Sequence, residues 1–407
     1  MNRLIVTGLA LGLLVAASPV GAQTGAFSDG VIRIGVLNDR AGPYSDATGE
    51  GSVVAVRLAA EDFGNAIAGV PIEIVVGDHQ GKPDVGVVAA RRWFDTEKVD
   101  AISDIASSGV GFAVNELAAE RGRVLLNNSA SSDFTGKACK PLSVQWNYNS
   151  YANTNAVVSA VMGEGGRDTW FIIAPDYAYG QAQAADVRRF VEGKGGKVVG
   201  SVAHPVGGAD FSSYLLQAQS SGAKVIALAN SANDLVNTVK QAREFGVGQD
   251  GKQALVVVSA VNLTEIDALG LEPVQGLLFL STFEWNRTPE SRAWTERFVK
   301  KMGRLPSQNQ AAAYSGAHHY LAAIKAAGTD EPRKVMEQMR AMPVRDAYAE
   351  NGQVREDGQM VHDLYLVRAK KPSESKEKGD YFTLVKTFAG ADSFQPLSAS
   401  ACPAVKK

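Results

Sequence analysis

The sequence predicts an α/β protein with two lobes, each built around a doubly wound parallel β-sheet. Short runs rich in β-branched residues alternate with longer amphipathic segments, and this alternation is typical of a parallel sheet covered by helices on both faces. The alternation occurs twice, before and after residue 150. The 407 residues also exceed what one ordinary hydrophobic core accommodates, so two lobes are expected.

The first series of elements lies before residue 150 and has the order strand, helix, strand. Strands are predicted at 31–37, 72–76, 101–105 and 124–127, with helices at 51–63, 84–96 and 111–120. The second series begins with a helix at 152–162. Its predicted strands are 169–173, 198–202, 225–228, 255–258 and 276–280, and its helices are 180–194, 211–220 and 233–245.

The rest of the chain is too short for a third lobe and is expected to return to the two lobes already formed. Its helices are predicted at 289–302, 311–327 and 332–340. Segments 364–368 and 381–386 alternate like two antiparallel strands, and the charged sequence KKPSESKEKGD between them indicates a surface turn.

Residues 2–22 have the three-part pattern of an export signal. Arg3 supplies a positive charge, an apolar run extends over 4–17, and the small residues Val20, Gly21 and Ala22 indicate a cleavage site. The apolar run is shorter than the ~20 residues that a membrane span needs. The sequence therefore predicts an exported protein cleaved near Ala22, and no later stretch is long and apolar enough to suggest an anchor.

The two cysteines, Cys139 and Cys402, are expected to form a disulfide because exported proteins meet an oxidising environment. Their spacing fits no redox or zinc motif. The bridge would hold the C-terminal tail, 401–407, against the region of Cys139. The alternative is a pair of separate buried thiols.

Composition and motifs argue against nucleic-acid binding and against catalysis. A net charge of −2 offers little attraction to phosphates. The nucleophile-elbow, zincin and C-x-x-C motifs do not occur. The glycine motif at 246–251 follows a predicted helix and precedes a strand, which is the wrong order for a dinucleotide turn. His318 and His319 point about 100° apart on a helix and cannot share a metal. We expect no enzyme activity, no cofactor and no metal.

Polar turns follow four of the predicted strands, at 106–109, 128–132, 175–180 and 229–234. Ligands of doubly wound sheets bind beyond the carboxyl ends of the strands. Serine hydroxyls and free N–H groups at helix starts can bind a carboxylate. The serine-rich turns of the first lobe therefore predict a carboxylate site. In the alternative interpretation, the serines only cap helices.

Aromatic residues flank the same turns and could stack on an apolar or planar ligand. They are Tyr44, Tyr177, Tyr179, Phe283 and Trp285. Ordinary core packing is the alternative for each of them.

Several segments resemble the branched-chain amino-acid-binding proteins, which are periplasmic solute receptors of ABC importers. The resemblance covers nearly the whole chain after the signal and is carried by IRIGVLNDRAGPYSDATGEGSVVAVRLAAEDF, SDIASSGVGFAVNELA, NNSASSDFTG, APDYAYGQ and GADFSSYLLQAQSSGAKVIALA. It implies the type I periplasmic-binding-protein fold, with two lobes joined by three hinge crossings. The first lobe would comprise 27–145 and 284–348, and the second 146–283 and 349–400.

The resemblance also implies a function and a set of binding residues. A periplasmic monomer would close its lobes over a small carboxylate and dock on the transmembrane subunits of a permease. Ser107 and Ser131 align with residues that hold the ligand carboxylate, Ser129 with a backbone contact, and Tyr179 with a tyrosine that closes on the ligand. The full set of expected ligand-binding residues is Ser107, Ser108, Ser129, Ala130, Ser131, Tyr44, Tyr177, Tyr179, Asn230, Ser231, Phe283 and Trp285.

The sequence departs from the family at the glutamate that pairs with the ligand ammonium. Ala260 or Val261 occupies its place, and Glu265 is expected to lie too far along the chain to replace it. Burying an unpaired ammonium is costly. Either Asp104 or Asp176 pairs with that group, or the ligand has none. The expected ligand is an amino acid or a related aromatic or branched aliphatic carboxylate. A sensory module for a membrane regulator and a secreted hydrolase are the alternatives.

Overall fold

A computed structural model describes residues 27–249 and 251–405, so the predicted export signal lies outside the described residues. The first lobe is built on a six-stranded sheet with the order β2-β3-β1-β4-β5-β6. All of its strand pairs are parallel except β2 with β3. The strands are β1 Ile32–Asn38, β2 Ala66–Ile67, β3 Val70–Asp78, β4 Ala101–Ile105, β5 Val124–Asn127 and β6 Ser143–Gln145.

Three helices connect the strands of this sheet, namely α1 Gly49–Asp62, α2 Pro83–Asp95 and α3 Ser108–Arg121. Trp93 of α2 is fully buried against the sheet. A Cβ atom on Gly35 of β1 would lie 2.5 Å from the Trp93 ring, and one on Gly77 of β3 would lie 2.8 Å away. Glycine at both positions therefore lets the indole pack directly on the backbone of the two strands.

The second lobe contains a parallel sheet with the order β10-β9-β7-β8. Its strands are β7 Thr169–Pro175, β8 Lys197–His204, β9 Val225–Leu228 and β10 Ala254–Val257. Its helices are α4 Ser150–Gly163, α5 Ala178–Gly193, α6 Ser212–Ser220, α7 Ala232–Glu244 and α8 Leu263–Leu269. Hydrophobic clusters lie on both faces of this sheet, as the apolar strand sequences predict.

A three-stranded antiparallel sheet, β11-β14-β15, extends the second lobe. It consists of β11 Leu278–Ser281, β14 Leu364–Ala369 and β15 Phe382–Phe388. The predicted antiparallel pair is confirmed. The strand predicted at 276–280 is present as β11, but it pairs with β14 in this antiparallel sheet. A parallel bridge between Ala260, which follows β10, and Leu280 links it to the neighbouring segment. Strand patterning does not specify the partner strand.

The later helices return to the first lobe. They are α9 Pro289–Met302, α10 Gln308–Ala327 and α11 Pro332–Ala341. Trp294, Phe298, Tyr320 and Met336 join the hydrophobic cluster of the first sheet. The remaining short elements are β12 Gln353–Val354, β13 Met360–Val361, α12 Gly390–Ser393 and three 3₁₀ turns. The residue boundaries of the lobes stay a prediction.

The buried side-chain amide of Asn147 connects the three segments that contain the predicted hinge crossings. The Asn147 Oδ1 atom accepts hydrogen bonds from Thr282 Oγ1 at 2.9 Å and from the Tyr348 hydroxyl at 2.8 Å. Its Nδ2 atom donates to Asn309 Oδ1 at 2.6 Å. Asn147, Thr282 and Tyr348 lie beside different predicted crossings, so we call these three residues the hinge cluster.

A disulfide joins Cys139 to Cys402, with their Cα atoms 5.6 Å apart. Next to it, the Ser400 hydroxyl donates to the Thr135 carbonyl oxygen at 3.1 Å. The tail is thus fixed to the first lobe at the position that the sequence analysis favours. Within the described ranges, none of the helices is long and apolar enough to cross a bilayer.

Candidate ligand-binding site

A cavity lies between the two lobes at the carboxyl ends of the sheet strands. Its first-lobe wall consists of Tyr44, Ala47, Ala106, Asn128, Ala130 and Asn309, and Tyr148 follows at the first crossing. Its second-lobe wall consists of Tyr177, Tyr179, Ser231, Ala232, Asn262 and Glu265. The cavity volume is about 30 Å³, which is room for about two water molecules. An organic ligand therefore requires the two walls to move apart.

Several helices begin at this cavity. Tyr179, Ala232 and Asn309 lie in the first turns of α5, α7 and α10, Asn262 is the N-cap of α8, and Ala106 precedes the N-cap of α3. Helix N-termini carry partial positive charge and unpaired N–H groups. The wall contains no lysine or arginine, so these helix ends are its source of positive potential for an anion.

The serines of the first-lobe turns have different roles. Ser131 caps a 3₁₀ turn by accepting a hydrogen bond from the Asp133 N–H at 3.4 Å. Ser129 donates to the Ile105 carbonyl oxygen, and the Ser108 hydroxyl accepts from the Ser131 N–H. Ser107 is the N-cap of α3, yet its side chain makes no capping hydrogen bond. Capping alone therefore explains Ser131 but not Ser107. None of these four serines lines the cavity, in contrast to Ala130, which does.

Four tyrosines surround the cavity. Tyr44 lies in the first-lobe wall, Tyr177 and Tyr179 lie in the second-lobe wall, and Tyr148 lies at the first crossing. The hydroxyls of Tyr44 and Tyr177 are 2.6 Å apart and connect the two lobes. The rings of Tyr177 and Tyr179 lie 5.9 Å apart. Burial raises the pKa of Tyr44 to about 12 and also raises the pKa of Tyr148 and Tyr179. All of these hydroxyls therefore stay protonated near neutral pH and can donate a hydrogen bond.

Besides the four serines, three further expected ligand residues lie away from the cavity wall. Phe283 packs in the core of the first lobe, edge-on to Trp294 at 5.6 Å. Trp285 donates its indole N–H to the Gly379 carbonyl oxygen at 3.0 Å. Asn230 donates to Thr238 Oγ1 of α7 at 2.8 Å. For these residues the packing interpretation describes the structure, because each side chain already has partners in the protein interior. Ser231, next to Asn230, does line the cavity.

Glu265 corrects the expectation that it lies too far along the chain. It lies in the second-lobe wall because α8 begins at the cavity and carries Glu265 in its first turn. Its carboxylate accepts hydrogen bonds from the Ala232 N–H at 2.5 Å and the Asn262 N–H at 2.6 Å. Burial nevertheless raises the pKa of Glu265 to about 7. Two carboxylate oxygens offer about four acceptor positions, so the group can still accept from a ligand.

The two aspartates proposed as substitutes for that glutamate lie elsewhere. Asp176 is exposed and is not part of the wall. Asp104 is fully buried behind the wall, where it accepts hydrogen bonds from Asn38 and Asn128. Of the acidic side chains considered from the sequence, Glu265 alone reaches the cavity.

Two asparagines in the first-lobe wall were missed. Asn128 begins the polar turn at 128–132, so its position could have been recognised, whereas Asn309 lies in a helix with no local signal. The Asn128 Oδ1 atom is buried and has no hydrogen-bond partner among the described residues. Asn309 accepts from Asn147 through Oδ1, so its NH₂ group is the end of the amide that this contact does not use. The wall thus contains one amide, Asn128, with a free acceptor.

Two doubly wound lobes that enclose a cavity at their strand ends define the class of two-lobed solute-binding proteins. The chain matches the family model described as "Periplasmic binding protein" over residues 31–378 and belongs to that family. Within the family it is of the branched-chain amino-acid type, as the resemblance implies.

Three solved structures illustrate the relationship. A periplasmic binding protein from Burkholderia mallei is 40% identical, with a TM-score of 0.89 over 92% of this chain and 99% of its own. A branched chain amino acid ABC transporter periplasmic ligand-binding protein from Burkholderia xenovorans LB400 is 39% identical, with a TM-score of 0.82 over 92% and 100%. An ABC transporter solute binding protein from R. palustris, in complex with 4-hydroxybenzoate, is 22% identical, with a TM-score of 0.79 over 88% and 97%. The last similarity concerns the fold.

Proposed function

We propose that this protein is the solute receptor of an ABC importer, and that it captures an amino acid or a related small carboxylate between its lobes and delivers it unchanged to a membrane permease. The observation that carries the proposal is the cavity itself. Helix N-termini and amide groups supply donors to an anion, and tyrosine rings with alanines supply an apolar surface.

The first-lobe wall is suited to the ligand carboxylate. The start of α3 supplies N–H groups, and Asn309 supplies an NH₂ group. The Ser107 hydroxyl, which makes no capping hydrogen bond, lies outside the present wall and would join these donors once the two walls move apart. These donors need no arginine to neutralise the anion, because several N–H groups share its charge. The ring faces of Tyr148, Tyr177 and Tyr179 would contact the apolar part of the ligand.

The related structures support both branches of the expected ligand class. The Burkholderia xenovorans protein is described as a branched chain amino acid ABC transporter periplasmic ligand-binding protein, and the R. palustris protein is in complex with 4-hydroxybenzoate. In either case a monomer would open, admit the ligand, and close through the contact between Tyr44 and Tyr177. The closed form would present both lobes to the permease. Its location would be the periplasm, after signal cleavage near Ala22.

A thermal-shift screen tests the proposal with purified protein lacking residues 1–22. The panel contains the branched and aromatic amino acids, their deaminated acids, and benzoate with 4-hydroxybenzoate. A receptor gains about 2.7 kcal/mol of stability at a ligand concentration of 100 Kd. We expect such a gain for at least one carboxylate, and chromatography should recover that ligand unaltered.

Two results would contradict the receptor function. One is the absence of any shift across the panel, and the other is conversion of a bound compound into a product. An uncharged analogue such as isobutanol serves as a control for nonspecific binding. It should produce no shift, because it lacks the anion that the helix N-termini favour.

A further inference from the structure

We infer that Asn128 is a specificity-determining residue that requires a hydrogen-bond donor on the ligand, and that Asp104 is the positioning residue that fixes its orientation. The inference rests on the proposed function, since it names the ligand chemistry that the cavity selects. Asn128 lies in the cavity wall and is 3% exposed.

The orientation of the Asn128 amide follows from its neighbours. Its Nδ2 atom lies 3.0 Å from Asp104 Oδ1 and 3.4 Å from the Asn309 carbonyl oxygen. A carboxylate and a carbonyl oxygen can only accept from it, so the NH₂ group must face them. The Oδ1 atom is therefore the end that remains, and it is buried without a partner among the described residues. A buried acceptor without a partner costs free energy that a ligand donor would recover.

Asp104 is held in place for this task. Its Oδ2 atom accepts from Asn38 Nδ2 at 3.0 Å, and Asn38 Nδ2 also donates to the Gly49 carbonyl oxygen at 2.8 Å. The Asp104 backbone has a φ of 66°, which is unusual for a residue other than glycine, and the pairing of β4 with β5 is irregular at this residue. Strained backbone of this kind persists where the surroundings enforce it and is concentrated at functional sites.

The ligand group that fits is an amine or a hydroxyl near the carboxylate. A carboxylate with neither group would leave Asn128 Oδ1 unpaired and buried. The cavity should therefore discriminate between acids that differ only in this donor, because sites built to hydrogen-bond a ligand group reject analogues that lack it.

The experiment measures Kd by calorimetry at pH 8 for matched ligands. The pairs are L-leucine with 4-methylpentanoate and L-phenylalanine with 3-phenylpropanoate. A further ligand, 2-hydroxy-4-methylpentanoate, replaces the ammonium of L-leucine by a hydroxyl group, which is an uncharged donor. For each protein variant, the donor preference is the Kd of the plain acid divided by the Kd of its donor-bearing partner. We expect the unmodified protein to show a preference of about tenfold or more in at least one pair.

Asp104→Asn should reverse the Asn128 amide. Because the Gly49 carbonyl holds the Asn38 NH₂ group, the new amide must accept from Asn38 and turn its own NH₂ group toward Asn128. Only the long 3.4 Å contact to the Asn309 carbonyl oxygen would then favour the original orientation, so Asn128 should turn its NH₂ group to the cavity and the donor preference should fall about tenfold. Asn128→Leu should lower the donor preference similarly, both for the amino acids and for the hydroxy acid.

Asp100→Asn is the matched control, because Asp100 is a buried carboxylate before β4 that accepts from Arg33 and Arg123, away from the cavity. Its preference should stay within twofold.

Ratios taken within one variant are insensitive to the fraction of folded protein, so a destabilised variant remains informative. The inference is overturned if the plain acids bind the unmodified protein as well as their donor-bearing partners. It is equally overturned if the preference survives both Asp104→Asn and Asn128→Leu. Tight binding of a plain acid would leave the receptor function standing, whereas failure of every ligand to bind would remove both proposals.

Discussion

The two walls of the cavity differ in how firmly their polar groups are held. In the first-lobe wall, Asn128 is fixed by Asp104 and Asn309 is fixed by Asn147, so both amides have one available orientation. The second-lobe wall presents tyrosine rings and one carboxyl group, Glu265, whose pKa of about 7 allows two charge states near neutral pH. We therefore expect the first wall to determine which polar head group fits, and the second wall to make binding depend on pH.

The largest expected effect concerns Glu265 in the second wall. Burial raises the pKa of Glu265 from 4.5 to about 7, so the ionised form that can pair with an ammonium is lost as the pH falls through 7. We expect the Kd for L-leucine or L-phenylalanine to rise about tenfold between pH 8.5 and pH 6, since one pH unit below the pKa leaves about a tenth ionised. Tyr148 and Tyr179, the titratable groups that face Glu265, stay neutral in this range.

Glu265→Gln is the variant that isolates this effect. It should weaken binding of the amino acid about 10- to 100-fold at pH 8.5, because the negative charge that pairs with the ammonium is lost, and it should make the Kd nearly independent of pH. The glutamine NH₂ group also cannot accept from one of the two backbone N–H groups, of Ala232 and Asn262, that Glu265 binds. A plain acid is repelled by the ionised Glu265 carboxylate and should bind the unmodified protein more tightly at low pH. This dependence on pH, measured in parallel by calorimetry, should be absent in Glu265→Gln. An unchanged pH profile in the variant would assign the titration to another group.

The same pKa shift bears on stability. A carboxyl group whose pKa is raised on folding favours the folded state most below its unfolded value of 4.5, and that contribution is lost as the pH rises through 7. Unliganded protein should therefore lose stability between pH 6 and 8.5, as followed by the thermal midpoint. The loss should be smaller in Glu265→Gln.

An intermediate effect is expected for the serines of the first-lobe turns. Ser107→Ala should weaken carboxylate binding by about tenfold, because its hydroxyl is not engaged in capping. Ser131→Ala removes a cap and should cost about 1 kcal/mol of stability, with a smaller change in affinity. Calorimetry and urea unfolding of both variants separate the two roles. If Ser107→Ala lowers stability and leaves Kd unchanged, the carboxylate role assigned to Ser107 is wrong.

The smallest effect is expected for the hydroxyl contact that connects the walls. Tyr44→Phe or Tyr177→Phe removes a hydrogen bond worth about 1 kcal/mol, so ligand dissociation should accelerate about fivefold while association changes little. Stopped-flow measurements of both rates test this expectation. Tyr151→Phe is the matched control, since Tyr151 lies on α4 and is not among the residues of the cavity wall. Equal acceleration in the control would show that the contact does not contribute to closure.

Much of the fold could be predicted because the strands are apolar runs and the helices begin and end at local signals. The strand at 101–105 matches β4, and the helix at 289–302 matches α9. The two-residue strand β2 escaped prediction because it is too short to show a period. The antiparallel pairing of β11 with β14 was not predicted, because pairing between distant segments depends on packing rather than on local sequence.

The candidate site was less predictable than the fold. The turn at 128–132 pointed to Ala130, and the aromatic residues around the turns included Tyr44, Tyr177 and Tyr179. Glu265 was misjudged because distance along the chain is a poor measure of position once a helix begins at the cleft. Asn309 could not be found, because its role depends on a contact with Asn147, 162 residues away in sequence.

The hinge cluster limits how the molecule can move. Asn147 makes hydrogen bonds to Thr282 and Tyr348 through one oxygen atom, so moving any one of the three segments alone would stretch at least one of these two bonds. The three segments should consequently rotate about a single shared axis, with little sideways sliding. Such constrained rotation would bring the same surfaces of the two lobes together each time the protein closes. Because Asn147 also donates to Asn309 in the cavity wall, a change in the hinge angle would shift that wall residue.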